Sequence, residues 1–428
     1  MPDTREQGRE VSAVSGPEHV AVVGAGMVGL STAWFLQEHG VGVTVLDRTG
    51  TAAEASWGNA GLLAPAFTLP LPEPALLRSG LTSLLDRSSP VSVPLTPDRR
   101  LWAFLAAFAR NCAPARWKRA MAVFDEVNRV SLEAYDRLAA GGITAPVKTA
   151  DPLLVACTSA DDRRHVVEEF AAVRRAGGEV SYDLATGAEL RALEPSLSAN
   201  VRTGLRVHGQ RFLNPPEFVH ALADSVRARG GRIVEGFDVT AVRDLGSSGV
   251  ALAAASGREL RADAAVLASG VRLGALARPF GVRMRVQAGR GYSFSVRPRE
   301  MPTRPVYFPA QRVACNPLGD RFRITGMMEF RSPDAPLDPR RIQTIVDSVR
   351  PLLSGVDLAA REEEWVGSRP CTPDGLPLVG ASSSPRVHVA GGHGMWGIVL
   401  GPLTGRLLAE SMATGRSPAL LRRFDPLR

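Results

Sequence analysis

Residues His19–Gly29 spell His-Val-Ala-Val-Val-Gly-Ala-Gly-Met-Val-Gly, and the next apolar run, Val41–Leu46, closes on a carboxylate at Asp47. An apolar strand, a G-x-G-x-x-G turn, a helix and a second strand ending in an acid form a site for the pyrophosphate and ribose of a dinucleotide. Gly24 permits the tight turn, Gly26 lets the pyrophosphate reach the backbone, and Gly29 lets helix and strand pack closely. The helix, expected over about Met27–Glu38, points its unpaired N–H groups, those of Met27 and Val28 among them, at the phosphates. Asp47 accepts hydrogen bonds from the ribose hydroxyls. A Gly-rich turn in an unrelated α/β domain is the plainer explanation, but it does not require the acid.

A second region, Val387–Gly405, runs a buried strand into the glycine loop Gly392-His393-Gly394-Met395-Trp396-Gly397-Ile398 and then into a helix. That places another set of free helix N–H groups beside the cofactor. A nicotinamide has no use for them. A flavin has, because reduction puts negative charge on N1 and the neighbouring C2 carbonyl oxygen, and a helix N-terminus aimed there favours the anion. FAD is favoured over NAD.

The elements that must carry these residues follow from pattern. After Asp47 come a small-residue segment, Thr51–Gly61, a Pro-rich run from Pro65 to Pro74, and a loop-like stretch, Ser88–Asp98. Leu101, Phe104, Leu105, Phe108 and Cys112 recur at helical spacing, so a helix starts near Trp102. Further helices are expected over Ala120–Ala140, Ala160–Arg175, Pro215–Arg229 with Asn214 as cap, Pro339–Leu352 with Asp338 as cap, and Gly397–Ala413. Strands are expected at Leu153–Ala156, Val180–Tyr182, Arg232–Glu235, Val239–Val242, Val250–Ala255 and Ala264–Ala268. Val286–Val296, Val306–Pro309, Arg321–Met327, Trp365–Ser368 and Val387–Ala390 complete the set. The ends of the chain look like nucleotide-domain pieces, and the middle alternates helices with antiparallel strands. The pattern is α/β (α+β): a Rossmann-like cofactor domain, 18–75, 205–280 and 360–428, interrupted by a substrate domain, 76–204 and 281–359, with 1–17 a disordered tail.

Bulk properties narrow the class. The 428 residues suffice for two or three cores, and 45% hydrophobic with 22% charged residues is ordinary for a globular protein. The net charge of +8 comes from scattered arginines, with Lys118 and Lys148 the only lysines, and no basic run or binding motif points to nucleic acid. Cys112, Cys157, Cys315 and Cys371 are far apart, which argues against zinc or a disulfide framework and fits a reducing cytoplasm. Met1–Glu18 reads as a polar tail, and no apolar stretch reaches bilayer-spanning length. Leu101–Phe124, with Trp102, Phe104, Phe108 and Trp117 among basic residues, is a candidate for peripheral contact with the inner face of a membrane, against the alternative of ordinary packing.

Four blocks resemble the FAD-dependent D-amino-acid oxidase superfamily, most of all its bacterial D-amino-acid dehydrogenase branch, with glycine oxidase nearby. They are the fingerprint with Asp47-Arg48, the segment Ala55-Ser56-Trp57-Gly58-Asn59-Ala60-Gly61-Leu62, Trp365–Gly380 with its Arg369-Pro370-Cys371-Thr372-Pro373-Asp374-Gly375, and Gly392–Ile398. The likeness runs from about His19 to Gly415 and implies the D-amino-acid oxidase fold with FAD bound non-covalently. It implies that Arg369 pairs with a substrate carboxylate, a role its planar two-pronged guanidinium suits, against the alternative of a tie to Asp374. Tyr292 is expected to complete that clamp or close the pocket, Tyr307 less so, and His393 to contact the ring system without serving as a base. Ser56 is expected at a phosphate, Asn59, Ala60, Gly61 and Leu62 along the ring, Val239 at the adenine, and Ser269 and Gly270 near ribose and phosphates.

Two departures from the family bear on chemistry. Relatives that attach flavin to a cysteine carry it at a position that falls near Gly367 here, so dissociable FAD is expected. Glycine oxidases place an arginine where this chain has Met395, which leaves room for a bulkier substrate. The expected reaction is hydride transfer from Cα of a D-amino or cyclic imino acid to flavin N5, with electrons passed to a quinone or another acceptor. An oxygen-reducing oxidase of glycine or sarcosine type, and a flavin-binding subunit with a structural role, are the alternatives.

Overall fold

The computed structural model describes residues 16–74, 76, 91–94 and 96–428. Nearly all of the expected tail and part of the Ser88–Asp98 loop lie outside them. Within that loop Val91–Ser92 forms a short strand paired with Met328 and Glu329.

The first layer is a six-stranded sheet in the order Arg232–Val234, Gly42–Leu46, His19–Val23, Ala264–Leu267, Val387–Gly391, Leu378–Ala381. All neighbours are parallel except the last pair. Such a sheet is covered on both faces, so its strands are apolar throughout rather than alternating. Val20, Val22, Val43, Val45 and Val266 face the helices, whereas Ala21, Val23, Leu46, Ala265 and Leu267 face a three-stranded antiparallel sheet built from Val239–Asp244, Val250–Ala254 and Glu259–Ala262. The helix Met27–Glu38 is apolar on nearly every side because it is buried between this sheet and the closing helix Gly397–Thr414. The two helices meet at small residues: a Cβ on Gly401 would lie 3.1 Å from Met27 Cγ, and one on Gly405 2.8 Å from the Thr32 nitrogen.

The second layer is a nine-stranded sheet whose centre is Glu362–Cys371, Gln287–Val296, Arg321–Phe330 and Val313–Leu318. It also takes in Val306–Phe308, Leu153–Cys157, Thr203–Val207, Tyr182–Thr186 and Val91–Ser92, so the 204/205 and 359/360 boundaries expected from sequence fall within or beside its strands. On one face Phe294, Val296, Phe322 and Ile324 pack on Ile342, Ile345, Val346 and Val349 of the helix Pro339–Val349. The other face carries Ser293, Ser295, Asn316 and Arg323, all buried, in rows fixed by the pairs Ser293–Thr325, Ser295–Arg323 and Asn316–Arg323. That polar face holds the Trp57–Ala60 turn: Ser293 Oγ donates to the Gly58 carbonyl at 2.8 Å, Asn316 Nδ2 donates to the Ala60 carbonyl, and Arg323 lies 4.8 Å from the Trp57 ring.

Three expectations need correction. The helix expected over Ala120–Ala140 is two, Pro114–Asn128 and Glu133–Ala140, and at the break Ser131 Oγ donates to the Asn128 carbonyl, a local bond that competes with the helical ladder. Asn214 occupies the cap position of Pro215–Ala228, but its side chain makes no capping bond. The strand expected at Val180–Tyr182 begins at Tyr182 and runs to Thr186.

Candidate active site

A cavity of about 1480 Å³ lies between the two layers. Its volume exceeds the roughly 300–1,000 Å³ typical of small-ligand pockets. One end is the fingerprint. Gly24 has φ +116°, a left-handed conformation that glycine tolerates, and a Cβ there would sit 2.4 Å from the Ala268 carbonyl oxygen. A Cβ on Gly29 would sit 2.0 Å from the Gly24 carbonyl oxygen, so the turn closes only without side chains. The helix that follows has no side-chain cap at Gly26 and no acid in its first turn. Ser56 Oγ accepts the Met27 N–H at 3.0 Å, which leaves the hydroxyl proton free to donate into the cavity.

Asp47 lines the cavity, and its carboxylate also organises the backbone: Oδ2 accepts from the Ala25 nitrogen at 2.7 Å, and Oδ1 from the nitrogens of Thr49 and Gly50 at 2.9 and 3.0 Å. Oδ2 keeps acceptor capacity for a hydroxyl. Arg48 pairs with Glu54, and both line the wall. Val239, Ser269 and Gly270 line the same end, where Ser269 Oγ is buried without a hydrogen-bond partner among the described residues. A buried hydroxyl left unpaired is costly, and a polar ligand would satisfy it.

The closing helix begins on the opposite wall. His393, Gly394, Met395, Gly397 and Ile398 line the cavity, and the helix has neither a side-chain cap nor an acid in its first turn. Two helix N-termini at one cavity, an orphaned hydroxyl and a cradle without room for side chains suit an extended dinucleotide with a ring that gains negative charge. Ala60, Gly61, Leu62, Gly392 and Trp396 do not line it. Leu62 pairs with Phe212, the Gly61 N–H goes to Asn59 Oδ1 at 2.8 Å, and Trp396 Nε1 donates to the Leu69 carbonyl at 2.7 Å. Asn59 lines the cavity while tying its own turn, Nδ2 donating to the carbonyls of Ala55 and Ser56.

Arg369 stands near the other end, on Glu362–Cys371. Its guanidinium lies over Gly291, where a Cβ would come within 2.2 Å of Cζ, so the neighbouring strand must be bare at that point. Nη1 donates to the Met327 carbonyl at 2.7 Å, and Met327 holds φ +66°, strained for a side-chain-bearing residue. Among the described residues no carboxylate pairs with Arg369. Asp374, the alternative partner, is taken by Arg428, with Nε to Oδ2 at 2.8 Å and Nη2 to Oδ1 at 3.1 Å. Burial pulls the Arg369 pKa below its ordinary value, the signature of a cation short of solvent and of a counter-charge.

His393 is buried, and burial pushes its pKa down to about 3. Nε2 lies 3.0 Å from Thr404 Oγ1, whose own proton goes to the carbonyl of Leu400 or Gly401. The ring is therefore neutral with its proton on Nε2.

Tyr292 and Tyr307 do not line the cavity, contrary to the clamp expected of them. Tyr292 is on the opposite sheet face, fully buried, donating to Glu329 Oε2 at 2.7 Å. Burial first, and then that bond, raise its pKa well above the ordinary phenol range. Arg290 and Arg341 each come within 3.6 Å of Glu329, making a charge cluster behind the sheet. Tyr307 packs edge-on against Phe67 at 5.2 Å, with its pKa pushed by burial up to about 12. Sequence reasoning passed over Phe104, Gln287 and Met284 as wall residues, because none belongs to a motif.

A two-layer fold with a dinucleotide cradle, a second helix N-terminus and an arginine without a carboxylate partner among the described residues defines a flavin-dependent oxidoreductase. A model of the FAD dependent oxidoreductase family (DAO) matches residues 19–411. The chain is 31% identical over 411 residues to a D-amino acid dehydrogenase of Cereibacter sphaeroides, covering 94% of this chain and 93% of the relative. It is 30% identical over 409 residues to a D-amino acid dehydrogenase of Methylobacterium nodulans, covering 94% and 96%. Its fold is similar to glycine oxidase from Geobacillus kaustophilus, with TM-score 0.70 and 22% identity over 96% of this chain and 99% of the other. The chain belongs to the FAD dependent oxidoreductase family.

Proposed function

We propose that the protein oxidises a D-amino acid, or a cyclic imino acid, to the 2-oxo acid, with Arg369 holding the substrate carboxylate. The observation that carries this is a guanidinium with no carboxylate partner among the described residues, at one end of a cavity whose other end is a dinucleotide cradle. The D-amino acid dehydrogenases at 31% and 30% identity support the substrate class. FAD, when bound, supplies the acceptor for a hydride. The chain orients: two parallel N–H···O bonds from Arg369 fix the carboxylate and thereby the direction of the Cα–H bond. The Cα–H leaves with its electron pair, the amine nitrogen lone pair forms the C=N bond, and a proton is lost. Water then converts the imino acid to 2-oxo acid and ammonia. His393, neutral down to about pH 3, takes no proton in this sequence, so the amine reacts as its free base.

We assign a quinone or similar carrier as acceptor on the strength of the relatives named dehydrogenases. No helix among the described residues is long and apolar enough to cross a membrane. Phe104, Phe108 and Phe124 face the core, so the peripheral contact surface reduces to exposed Trp102 with Arg99 and Arg100. Anaerobic mixing of the FAD-loaded protein with a panel of D-amino acids tests the reading. Bleaching of the flavin colour is expected, and a panel in which no amine bleaches it overturns the proposal. Oxygen uptake during turnover would make the protein an oxidase.

A further inference from the structure

Trp365, Gly367 and Arg369 alternate along Glu362–Cys371 and so share one face of that strand, and Trp365 and Arg369 both line the cavity. Gly367 pairs across the strands with Gly291. The two large side chains converge on this bare pair from opposite directions. A Cβ on Gly367 would lie 1.9 Å from Trp365 Cη2, and one on Gly291 2.2 Å from Arg369 Cζ. The benzo edge of the indole covers one glycine and the guanidinium covers the other, side by side at about the 4.8 Å spacing of neighbouring strands.

The indole has little freedom to yield. Gly58 packs on its other part, where a Cβ would lie 2.2 Å from Trp365 Cδ2. The Gly58 carbonyl is held in turn by Ser293, the cross-strand partner of Trp365. Trp57 lies beside the indole with ring centroids 6.3 Å apart. On the opposite flank of the guanidinium, Arg290 pairs with Glu329 and Tyr292 with Gly326, so Met327 and Met328 both stand opposite Gly291. Such a bulge re-aims backbone groups, and here the Met327 carbonyl accepts from Nη1. The guanidinium therefore has a glycine floor, a carbonyl on one side and an indole edge on the other.

We propose that Trp365 is a positioning residue for Arg369: its indole fills the space over Gly367 and so keeps the guanidinium over Gly291. This rests on the reading of Arg369 given above. Without the indole, the long arginine stem could lay its fork straight along its own strand, one strand spacing away. A fork displaced in that way carries the carboxylate with it and turns the Cα–H bond from its course. A misplacement of about 1 Å costs on the order of a hundredfold in rate.

The test is a double-mutant cycle on the FAD-loaded protein, with Trp365→Leu and Arg369→Leu made singly and together. Propionate serves as an unreactive carboxylate probe, with binding read from the shift in the flavin absorption spectrum and FAD content measured in each variant. Trp365→Leu is expected to weaken propionate about tenfold, from the loss of one charge-assisted hydrogen bond, and to slow flavin reduction at saturating D-amino acid about a hundredfold. In Arg369→Leu protein the same change is expected to leave propionate affinity unaltered, which a merely structural role would not produce. Trp365→Phe, which keeps a ring over part of the space, should bind propionate more tightly than Trp365→Leu, and it replaces Leu in the cycle if the Leu variant fails to hold FAD. Equal affinity in wild-type and Trp365→Leu protein overturns the proposal, as does an equal loss in the presence and absence of Arg369. Both results leave the carboxylate role of Arg369 intact. Propionate that binds Arg369→Leu protein as well as wild type overturns that role instead.

Discussion

Cys371 follows Arg369 by two residues, yet neither it nor Cys112, Cys157 or Cys315 lines the cavity, and burial keeps the Cys371 thiol protonated. A thiol must reach the ring as a thiolate to bond to it, so none of these four cysteines is placed to attach the cofactor. Acid precipitation of the yellow protein should leave the colour in the supernatant, and colour in the pellet would contradict this. At the same scale, Tyr292 and Arg369 are separated by one sheet thickness. Removing the Tyr292 hydroxyl leaves Glu329 Oε2 without its 2.7 Å donor. Tyr292→Phe should therefore cost about 1–3 kcal/mol in urea unfolding with no change in carboxylate affinity. A clamp role would show the reverse. The sequence marked both tyrosines as candidates because strand alternation states that neighbours face opposite sides, not which side meets the cavity. Gly24, Gly29 and Asp47 were easier to place, since their constraint is a backbone conformation or a strand end rather than a choice of face.

At the scale of elements, the cavity depends on two helices whose N-termini converge. Their closeness is set by Gly401 and Gly405 against Met27, Ser31 and Thr32. The atom facing Gly405 is backbone, which cannot swing aside. Gly405→Ala should cost about 1–3 kcal/mol of stability and weaken FAD binding at the same time, measured by thermal unfolding and fluorescence titration of the apoprotein. Loss of stability with FAD affinity unchanged would show that helix spacing does not matter to the cradle. Both helices were readable from sequence because glycines bracket long apolar runs. Val313–Leu318 was not, since Asn316-Pro317 interrupts its pattern, although Asn316 is what holds the Ala60 carbonyl. Nor was Val147–Ala150, whose exposed, polar residues pair with Gln210–Leu213 at a sheet edge.

For the whole molecule, folding commits charge-free histidines to the interior. Burial pushes His388 and His393 down to about 4 and about 3. Above the unfolded value near 6.5 both states are neutral there and stability is level; below it the unfolded chain takes up protons that the native chain refuses. Stability should fall as pH drops from about 6.5 to 5, by up to about 1.4 kcal/mol per unit for each histidine, and His388→Gln should halve the slope. His208 works in the opposite sense, because the hydrogen bonds it donates to Asp151 and Asp183 raise its pKa and its contribution is lost as pH climbs through that value. The two-layer plan was visible in the sequence as nucleotide-domain pieces at both ends. The interleaving of Thr203–Val207 and Glu362–Cys371 into the second sheet was not, since long-range pairing leaves no local signal. The proposed reaction requires a bound flavin facing Arg369. Rapid anaerobic mixing of wild-type and Arg369→Leu protein with a D-amino acid tests it most directly, with FAD content measured in both. Equal FAD content and a half-saturating substrate concentration raised at least about a hundredfold are expected, from the loss of two charge-assisted hydrogen bonds. Equal FAD content with unchanged saturation would contradict the account.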